Sequence, residues 1–362
     1  MLQDVNLSLV KAHNEAVVIN LIRRRAPISR YELAELSGLT PPTISVIVNR
    51  LVLEGILVES GSAPSRGGSL GGRRRRYLAL LPDSRLAIGI LVNRTGCVGA
   101  VVNIAGSVQT IVNQPFGTYL AELSAQQLIA GLDRMLRGLL EHTSHVKPHV
   151  MGIGLGVPTW YPPDIDWQMV VNYLGQYGLS LSFANNAVSA ALGEWWYGVG
   201  EVALPALYVF FGGGIGGCLI TRGGPVAMPE FRPVELGHLG IASGGPPCYC
   251  GGQGCLENFI GHADEHHGVT KQHNTMQYVG YALRSLCHLL NIQTVILGGP
   301  EVTIVGEDLD ELNMQLSGLR RIDPIGLCFG RISPENLALG AAALVFQTNL
   351  TRHLDSAVPE YH

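Results

Sequence analysis

One histidine and three cysteines with metal-ligating spacing lie in the stretch ELGHLGIASGGPPCYCGGQGCLE, as His238, Cys248, Cys250 and Cys255. Three thiols and an imidazole can close a tetrahedral shell around zinc, and the intervening glycines let the backbone aim the sulfur atoms inward. Because the protein fills all four positions, the pattern predicts structural rather than catalytic Zn²⁺. A disulfide or isolated buried thiols are the alternatives, although Cys248 and Cys250 are too close in sequence to pair comfortably.

The composition of the 362-residue chain indicates a globular protein of two or three domains. Hydrophobic residues make up 47% and charged residues 14% of the chain. The sequence has no unbroken apolar run of about 18 residues, so we expect no membrane span. The first residues lack the apolar core of an export signal. A cytoplasmic location is therefore expected, with no membrane partner and with thiols that stay reduced.

Charge is distributed unevenly along the chain. Up to position 85 there are 12 Lys and Arg against 7 Asp and Glu, whereas the remainder has 12 against 21. The amino-terminal part is therefore basic and the rest acidic. This asymmetry predicts that the amino-terminal part contacts a polyanion.

Local signals in the basic part predict a helix-turn-helix. Pro27 ends a first helix, and Ser29 with Glu32 forms a capping box that starts a short second one. Gly38 permits a sharp turn, after which Thr40 caps a third helix. This helix-turn-helix arrangement is typical of proteins whose last helix enters the major groove of DNA.

The third helix has an apolar and a polar side. Apolar residues at 44, 47, 48 and 51 repeat with helical spacing and predict the core side. We expect the opposite side to contact DNA through Thr43, Ser45, Asn49 and Arg50, with Arg50 on a base or a phosphate. Segments 56–58 and 77–80 are predicted to pair as wing strands. A three-helix bundle for protein contacts is the alternative, but the basic surplus favours DNA.

An arginine run follows a glycine- and serine-rich segment between the predicted wing strands, and consists of Arg73, Arg74, Arg75 and Arg76. A flexible cationic segment next to a helix-turn-helix can enter a narrow minor groove. Contact with phosphates alone, or a solvated charge run, is the alternative.

From Leu86 onward, apolar strands alternate with helices in a plan that occurs twice. LAIGILV and CVGAVVNI flank a tight turn, and ALYVFF and GGCLIT later flank the glycine-rich GGGIG. The duplication predicts a two-lobed α/β body with a cleft between the lobes. The predicted domains are 1–82 for the winged helix-turn-helix, 83–190 with a helix at about 335–350 for the first lobe, and 191–334 for the second lobe.

The pair ELGH and CYCGGQGCLE resembles the signature of the ROK family of bacterial repressors and sugar kinases, and GGRRR, GGGIGG, VILGG and LALGAAAL match its repressor branch. The resemblance covers nearly the whole chain. It implies an actin-like ATPase (ROK) body with a sugar pocket between the lobes. The residues that would bind the sugar there are Asn185, Asn186, Glu235, His238 and Glu257. The alternative is that Glu235 and Glu257 only orient the zinc loop.

Two substitutions relative to the kinases of that family argue against phosphoryl transfer. The kinases carry Asp-x-Gly-Gly-Thr after the first strand, where this chain has Leu91 in place of the carboxylate and bulky Asn93 and Arg94. Their catalytic carboxylate is here Asn186, whose amide cannot accept a hydroxyl proton. The GGGIGG turn is retained, either for its backbone shape or as a phosphate cradle. We therefore expect no enzyme activity.

These observations favour a zinc-stabilised repressor, a homodimer or tetramer, that binds a near-palindromic operator and is released by a sugar or sugar derivative. One alternative is a regulator with a vestigial pocket that answers to a protein partner. Another is an ATP-dependent sugar kinase linked to DNA. The histidine-rich HADEHHGVTKQHN is a second metal site or a solvated loop, and its lack of thiolates favours the loop.

Overall fold

A computed structural model describes residues 2–61, 76–143, 150–158, 165–199, 202–226, 234–260, 263–264, 268–269, 275–303, 309–317 and 324–351. The helices are α1 (Leu2–Arg25), α2 (Arg30–Ser37), α3 (Pro41–Leu53), α4 (Ala125–His142), α5 (Trp167–Gly175), α6 (Asn186–Tyr197), α7 (Thr275–Leu289), α8 (Leu309–Ser317) and α9 (Ala338–Thr351). The strands are β1 (Ile28–Ser29), β2 (Leu57–Ser60), β3 (Tyr77–Leu80), β4 (Leu86–Val92), β5 (Gly96–Asn103), β6 (Val108–Pro115), β7 (Val150–Val157), β8 (Ser180–Asn185), β9 (Ala206–Phe211), β10 (Ile215–Thr221), β11 (Gly224–Pro225), β12 (Ala263–Asp264), β13 (Gly268–Val269), β14 (Thr294–Gly298) and β15 (Gly326–Phe329).

The amino-terminal unit follows its local signals. The backbone N–H of Ser29 donates to the Glu32 carboxylate at 2.8 Å, and the Ser29 hydroxyl accepts the N–H of Glu32, which confirms the predicted capping box. Gly38 ends α2 with φ +71°, and the Thr40 side chain caps α3. The caps at Ser29 and Thr40 satisfy N–H groups at the starts of α2 and α3 that would otherwise lack partners, and Gly38 permits the turn between the two helices.

The wing is a three-stranded sheet in the order β1-β3-β2. The predicted strand at 56–58 begins one residue later and continues to Ser60, whereas the strand at 77–80 is confirmed. β1 was not predicted; its two residues pair with Leu78 and Tyr77 of β3. Beneath the sheet, the apolar side of α3 is buried as predicted, at Ile44, Ile47, Val48 and Leu51.

The first lobe is a five-stranded sheet in the order β6-β5-β4-β7-β8. β4, β5 and β6 are antiparallel, whereas β4, β7 and β8 are parallel. α4 packs on one side of this sheet, and α9 returns from the end of the chain to cover the other. Gly89 and Gly154 permit that close approach, because a Cβ at either position would collide with a carbonyl oxygen of α9.

The second lobe repeats the plan with the strand order β11-β10-β9-β14-β15. Its first three strands are antiparallel, and β14 is parallel to both β9 and β15. Two such mixed sheets, joined by α6 and α9, confirm the predicted two-lobed α/β body behind a winged helix-turn-helix. Within the described ranges, no helix combines the length and apolar character that crossing a bilayer requires.

Candidate functional site

The structure brings the four predicted metal ligands together at the surface of the second lobe. One ligand atom from each of His238, Cys248, Cys250 and Cys255 lies within 4.8 Å of the others. Two backbone hydrogen bonds, Cys248 N–H to Gly252 O and Gly254 N–H to Pro246 O, fold the loop onto itself. At Gly254 (φ +67°) a Cβ would collide with the carbonyl of Ala242, so only glycine fits this turn.

The donor chemistry and spacing of this cluster fit a tetrahedral metal. The sulfur atoms of Cys250 and Cys255 are 3.6 Å apart, which is far beyond a disulfide bond of about 2.05 Å. Two thiolates on one zinc, each about 2.3 Å from the ion, would lie about 3.8 Å apart. Nδ1 of His238 lies 3.5 Å from the Cys248 sulfur. The cluster could therefore hold a metal ion through three sulfur atoms and Nδ1.

The second nitrogen of His238 points to a polar cluster in the cleft. Its Nε2 lies 2.8 Å from the hydroxyl of Tyr249, and this hydroxyl is also 3.5 Å from Glu257 Oε2. Glu257 is only 6% exposed, and burial raises the pKa of its carboxyl to about 7. Glu235 immediately precedes the short helix that carries His238. Three of the predicted sugar-binding residues thus lie beside the metal cluster.

Tyr249 was not among the predicted site residues. Its ring contacts the imidazole of His238 edge-on, with 4.8 Å between the ring centroids. The sequence held a signal for it, because a residue between two metal ligands must lie beside the metal loop.

Asn185 and Asn186 lie at the start of α6 with different partners. Asn185 Oδ1 accepts the N–H of Ala187 at 2.7 Å and so caps the helix. Asn186 Nδ2 donates to the carbonyl of Val92 at 2.9 Å, whereas its buried Oδ1 has no hydrogen-bond partner among the described residues. Leaving a buried polar oxygen unpaired costs about 1–3 kcal/mol. Asn186 is therefore suited to accept a hydrogen bond from a ligand hydroxyl.

The glycine-rich turn between β9 and β10 forms the opposite wall of the cleft. A Cβ at Gly214 would lie 2.7 Å from the Glu257 carboxylate, and a Cβ at Gly213 would lie 2.5 Å from Cδ of Arg94. The N–H of Gly213 donates to Glu301 Oε2 at 3.0 Å. A backbone group that could have cradled a phosphate is therefore bonded to a carboxylate of the protein itself. Glu301 was missed in the sequence, where it appears only as an acidic residue shortly after VILGG.

The predicted DNA-contacting residues of α3 lie in different environments. Asn49 is exposed, and its Oδ1 accepts a hydrogen bond from Arg30 at 2.8 Å. Thr43 and Ser45 are partly buried near the start of the helix. Arg30, which the sequence reasoning missed, also pairs with Glu59 of the wing at 2.6 Å, and it thereby ties the polar side of α3 to the wing.

Arg50 contacts both α1 and α9, and of the arginine run only Arg76 lies within the described residues. The Arg50 guanidinium lies 2.9 Å from Glu15 of α1 and donates to the carbonyl of Leu350 in α9 at 3.3 Å. A DNA contact by Arg50 stays a prediction, and it requires these contacts to break. Arg76 is largely exposed and lies 3.1 Å from Glu59. Arg73, Arg74 and Arg75 lie outside the described residues, as does most of the histidine-rich segment.

The first helix is clamped to the far end of α6. Arg23 lies over the rings of Trp196 and Tyr197, 5.7 and 5.1 Å from their centroids. Arg24 lies over Trp195, 4.6 Å from the ring centroid. Both arginines also donate to the carbonyl oxygen of Trp195. One helix therefore connects the cleft, at Asn186, with the amino-terminal unit, at Trp195 to Tyr197.

The fold defines a winged helix-turn-helix protein with a two-lobed, actin-like body. Residues 17–58 match the winged helix-turn-helix DNA-binding family, and residues 161–265 match the ROK family. The body is therefore similar to the ROK family and the amino-terminal unit to winged helix-turn-helix domains, in agreement with the resemblance that the motifs indicated.

Known regulators and a known sugar kinase are similar to this chain. The xylose repressor of Caldicellulosiruptor bescii is 28% identical over 274 residues, covering 70% of this chain and 65% of that protein. A ROK-family transcriptional regulator, a homologue of the Escherichia coli MLC protein, has a TM-score of 0.66 at 17% identity over 94% of this chain and 99% of its own. The ROK hexokinase of Thermus thermophilus has a TM-score of 0.55 at 22% identity over 73% and 99%. These two solved structures share the fold of this chain.

Proposed function

We propose that this protein is a transcriptional regulator that binds operator DNA and is released by a sugar or sugar derivative. Two winged helix-turn-helix units in a homodimer, or four in a tetramer, would contact the half-sites of a near-palindromic operator. The proposal is supported by the winged helix-turn-helix, the interlobe cleft and the similarity to a protein named as a xylose repressor. Such a regulator would work in the cytoplasm, where operator DNA lies and thiols stay reduced.

The single observation that carries this proposal is the course of α6. Its 12 residues span about 18 Å, from Asn186 in the cleft to the tryptophans that hold α1. α6 also packs closely on α9, where Gly193 and Gly340 bring the two backbones together. A rigid element in contact with both sites can transmit a change at one to the other.

A sugar would act by favouring one arrangement of this connection. A hydroxyl bound to Asn186 Oδ1 would fix the start of α6, and α6 and α9 would then shift the contacts of Arg23, Arg24 and Arg50 with the body. A ligand that prefers one cleft state by about 1.4 kcal/mol changes the ratio of the two states tenfold. Release of DNA follows if the preferred state moves the two DNA-binding units apart.

The proposal also includes the absence of phosphoryl transfer. Leu91 is 2% exposed and offers no ligand for magnesium, and Asn186 offers no base. The carboxylate of Glu301 already accepts the N–H of Gly213, so a phosphate there would meet negative charge. Losing a positioned base alone reduces the rate by about 10²–10⁴-fold. Sensing without catalysis is the function that these residues support.

We assign Zn²⁺ to the cluster of one histidine and three cysteines as a structural ion. When bound, zinc would cross-link the loop, and with four protein ligands it would leave no open position for a substrate. Held through Nδ1, His238 would present Nε2 toward the cleft. Zinc would therefore set the position of one wall of the proposed sugar pocket.

A second candidate is a regulator that ignores sugars and answers to a protein partner. The position of Tyr249 favours it, because its hydroxyl already lies between His238 and Glu257, where a sugar hydroxyl would bind. A thermal-shift panel of sugars separates the two candidates. A true ligand raises the melting temperature in proportion to ln(1 + [L]/Kd), whereas the second candidate predicts no shift with any sugar.

Operator binding is tested with the full-length, zinc-loaded protein and a sequence obtained by selection from random DNA. Fluorescence anisotropy across a salt series should show a steep loss of affinity, because bound arginines displace counterions from the phosphates. Asn49→Ala should weaken binding, and Asn14→Ala, at a partly exposed asparagine of α1, serves as the control in the same unit. A flat salt response together with unchanged affinity in Asn49→Ala would contradict DNA binding.

A further inference from the structure

Arg94 places a positive charge inside the interlobe cleft. Among the described residues, its guanidinium forms no ion pair and no side-chain hydrogen bond, and its nearest ring, that of Tyr119, lies 5.9 Å away. Arg94 is partly buried. A guanidinium that is removed from part of its water and forms no direct ion pair favours the approach of an anion.

The guanidinium lies at the edge of the proposed sugar pocket. The Arg94 side chain packs on Gly213, and the Glu257 carboxylate packs on the next residue, Gly214. Asn186 is bonded to the carbonyl of Val92, the last residue of β4, which lies two residues before Arg94. A ring bound between Asn186 and Glu257 would therefore lie next to the turn that carries Arg94.

We propose that the effector carries an anionic group, a phosphate or a carboxylate on a sugar ring, and that Arg94 binds this group. The inference rests on the proposed sugar-sensing function and names the chemical class of its ligand. Arginine suits this task because its planar fork matches the oxygens of phosphate and carboxylate. The glycine turn cannot do it alone, since the N–H of Gly213 is already donated to Glu301.

A different role for Arg94 predicts a different result. Its charge also lowers the pKa of Glu257, against the larger effect of burial, so Arg94 could serve only to balance that carboxyl. In that case its removal would weaken neutral and anionic sugars alike. Under our proposal, its removal affects anionic sugars selectively, and this selectivity decides between the two roles.

The test is calorimetric titration of the full-length, zinc-loaded protein with matched ligands. Glucose, mannose and N-acetylglucosamine are each compared with their 6-phosphates, glucose is also compared with glucuronate, and inorganic phosphate is titrated alone. We expect an anionic member to bind roughly tenfold or more tightly than its neutral partner. Whether a 6-phosphate or glucuronate shows the larger preference identifies the anion.

Two variants assign the preference to Arg94. In Arg94→Met the preference should fall to within about twofold while the neutral sugar still binds, and Arg94→Lys should keep part of it, because a point charge remains. Circular dichroism and zinc content verify that both variants fold. Equal binding of neutral and anionic sugars by the wild type, or a preference that survives in Arg94→Met, overturns the inference.

The outcomes also separate this inference from the function on which it rests. If only neutral sugars bind and release the operator, the inference fails and the proposed function stands. If no member of the panel binds, the anionic effector and the sugar-sensing function both fail, while DNA binding keeps its own salt-dependence test.

Discussion

At the scale of single residues, the proposal of sensing without catalysis depends on three side chains of the cleft. Asn186 donates one hydrogen bond to the carbonyl of Val92, and its side-chain oxygen has no partner within the described part of the chain. Glu257 is buried, and burial raises its pKa to about 7. Leu91 removes a magnesium ligand. Together these residues offer hydrogen-bonding groups to a ligand hydroxyl, and Leu91 and Asn186 supply neither the magnesium ligand nor the base that phosphoryl transfer needs.

The first residue-scale prediction concerns Asn186→Asp. Restoring a carboxylate at this position should not restore a kinase, because Leu91 still lacks a magnesium ligand and Glu301 still opposes a phosphate. A coupled assay for ADP release with ATP, Mg²⁺ and a hexose panel measures this. The double variant Asn186→Asp with Leu91→Asp is the matched comparison. Turnover by the single variant would show that the cleft needs only one residue for catalysis.

A second residue-scale prediction concerns the metal cluster. Cys250→Ser should release zinc and lower the melting temperature, since binding of a structural zinc contributes to folding free energy. Metal content by mass spectrometry and a thermal melt are the measurements. The control is Cys328→Ser, because Cys328 is a partly buried cysteine outside the cluster. This variant should keep the zinc. A full complement of zinc in Cys250→Ser would refute the proposed shell.

The sequence could identify those site residues whose pattern lies within a short stretch of chain. Four metal ligands within 18 positions encode their own proximity, and the structure brings them together. Glu301 joins Gly213 from 88 residues away, and no local pattern announces such a contact. Tyr249 was visible only as the residue between two cysteines. The environment of a side chain, in contrast to its presence, depends on tertiary structure.

At the scale of elements, α6 is the connection on which the account depends. It begins at the cleft and ends in the cation–π contacts of Arg23 and Arg24 with its aromatic residues. Caps and turns in the amino-terminal unit were predictable, because a capping box involves residues three apart. The two-residue strand β1 was not, because it exists only through its pairing with β3.

The element-scale prediction concerns the clamp between α1 and α6. Arg23→Ala with Arg24→Ala should abolish the effect of sugar on operator binding while sugar affinity stays within about twofold. The reason is that the cleft is intact but its connection to the DNA-binding unit is lost. Operator anisotropy and calorimetry measure the two affinities, and exposed Arg25→Ala is the control. An unchanged sugar response in the double variant would exclude the clamp as the route.

At the scale of the whole molecule, a basic DNA-binding unit is attached to an acidic body by contacts that are remote in sequence. Arg23 bonds to a carbonyl 172 residues away, and Arg50 to one 300 residues away. The duplicated strand pattern predicted two lobes and the charge asymmetry predicted a separate basic unit. Neither pattern predicts that α1 and α3 pack on α6 and α9. Each of these contacts joins two distant segments, and neither segment carries a sequence signal for the other.

The most direct test of the central claim, that the cleft and the DNA-binding unit report to each other, is the sugar affinity with and without bound operator. Thermodynamic linkage requires that a sugar which weakens operator binding by some factor is itself bound more weakly by that factor when operator is present. We predict a loss of sugar affinity of roughly fivefold or more on saturation with operator. Identical sugar affinities for the free and operator-bound protein would contradict the account.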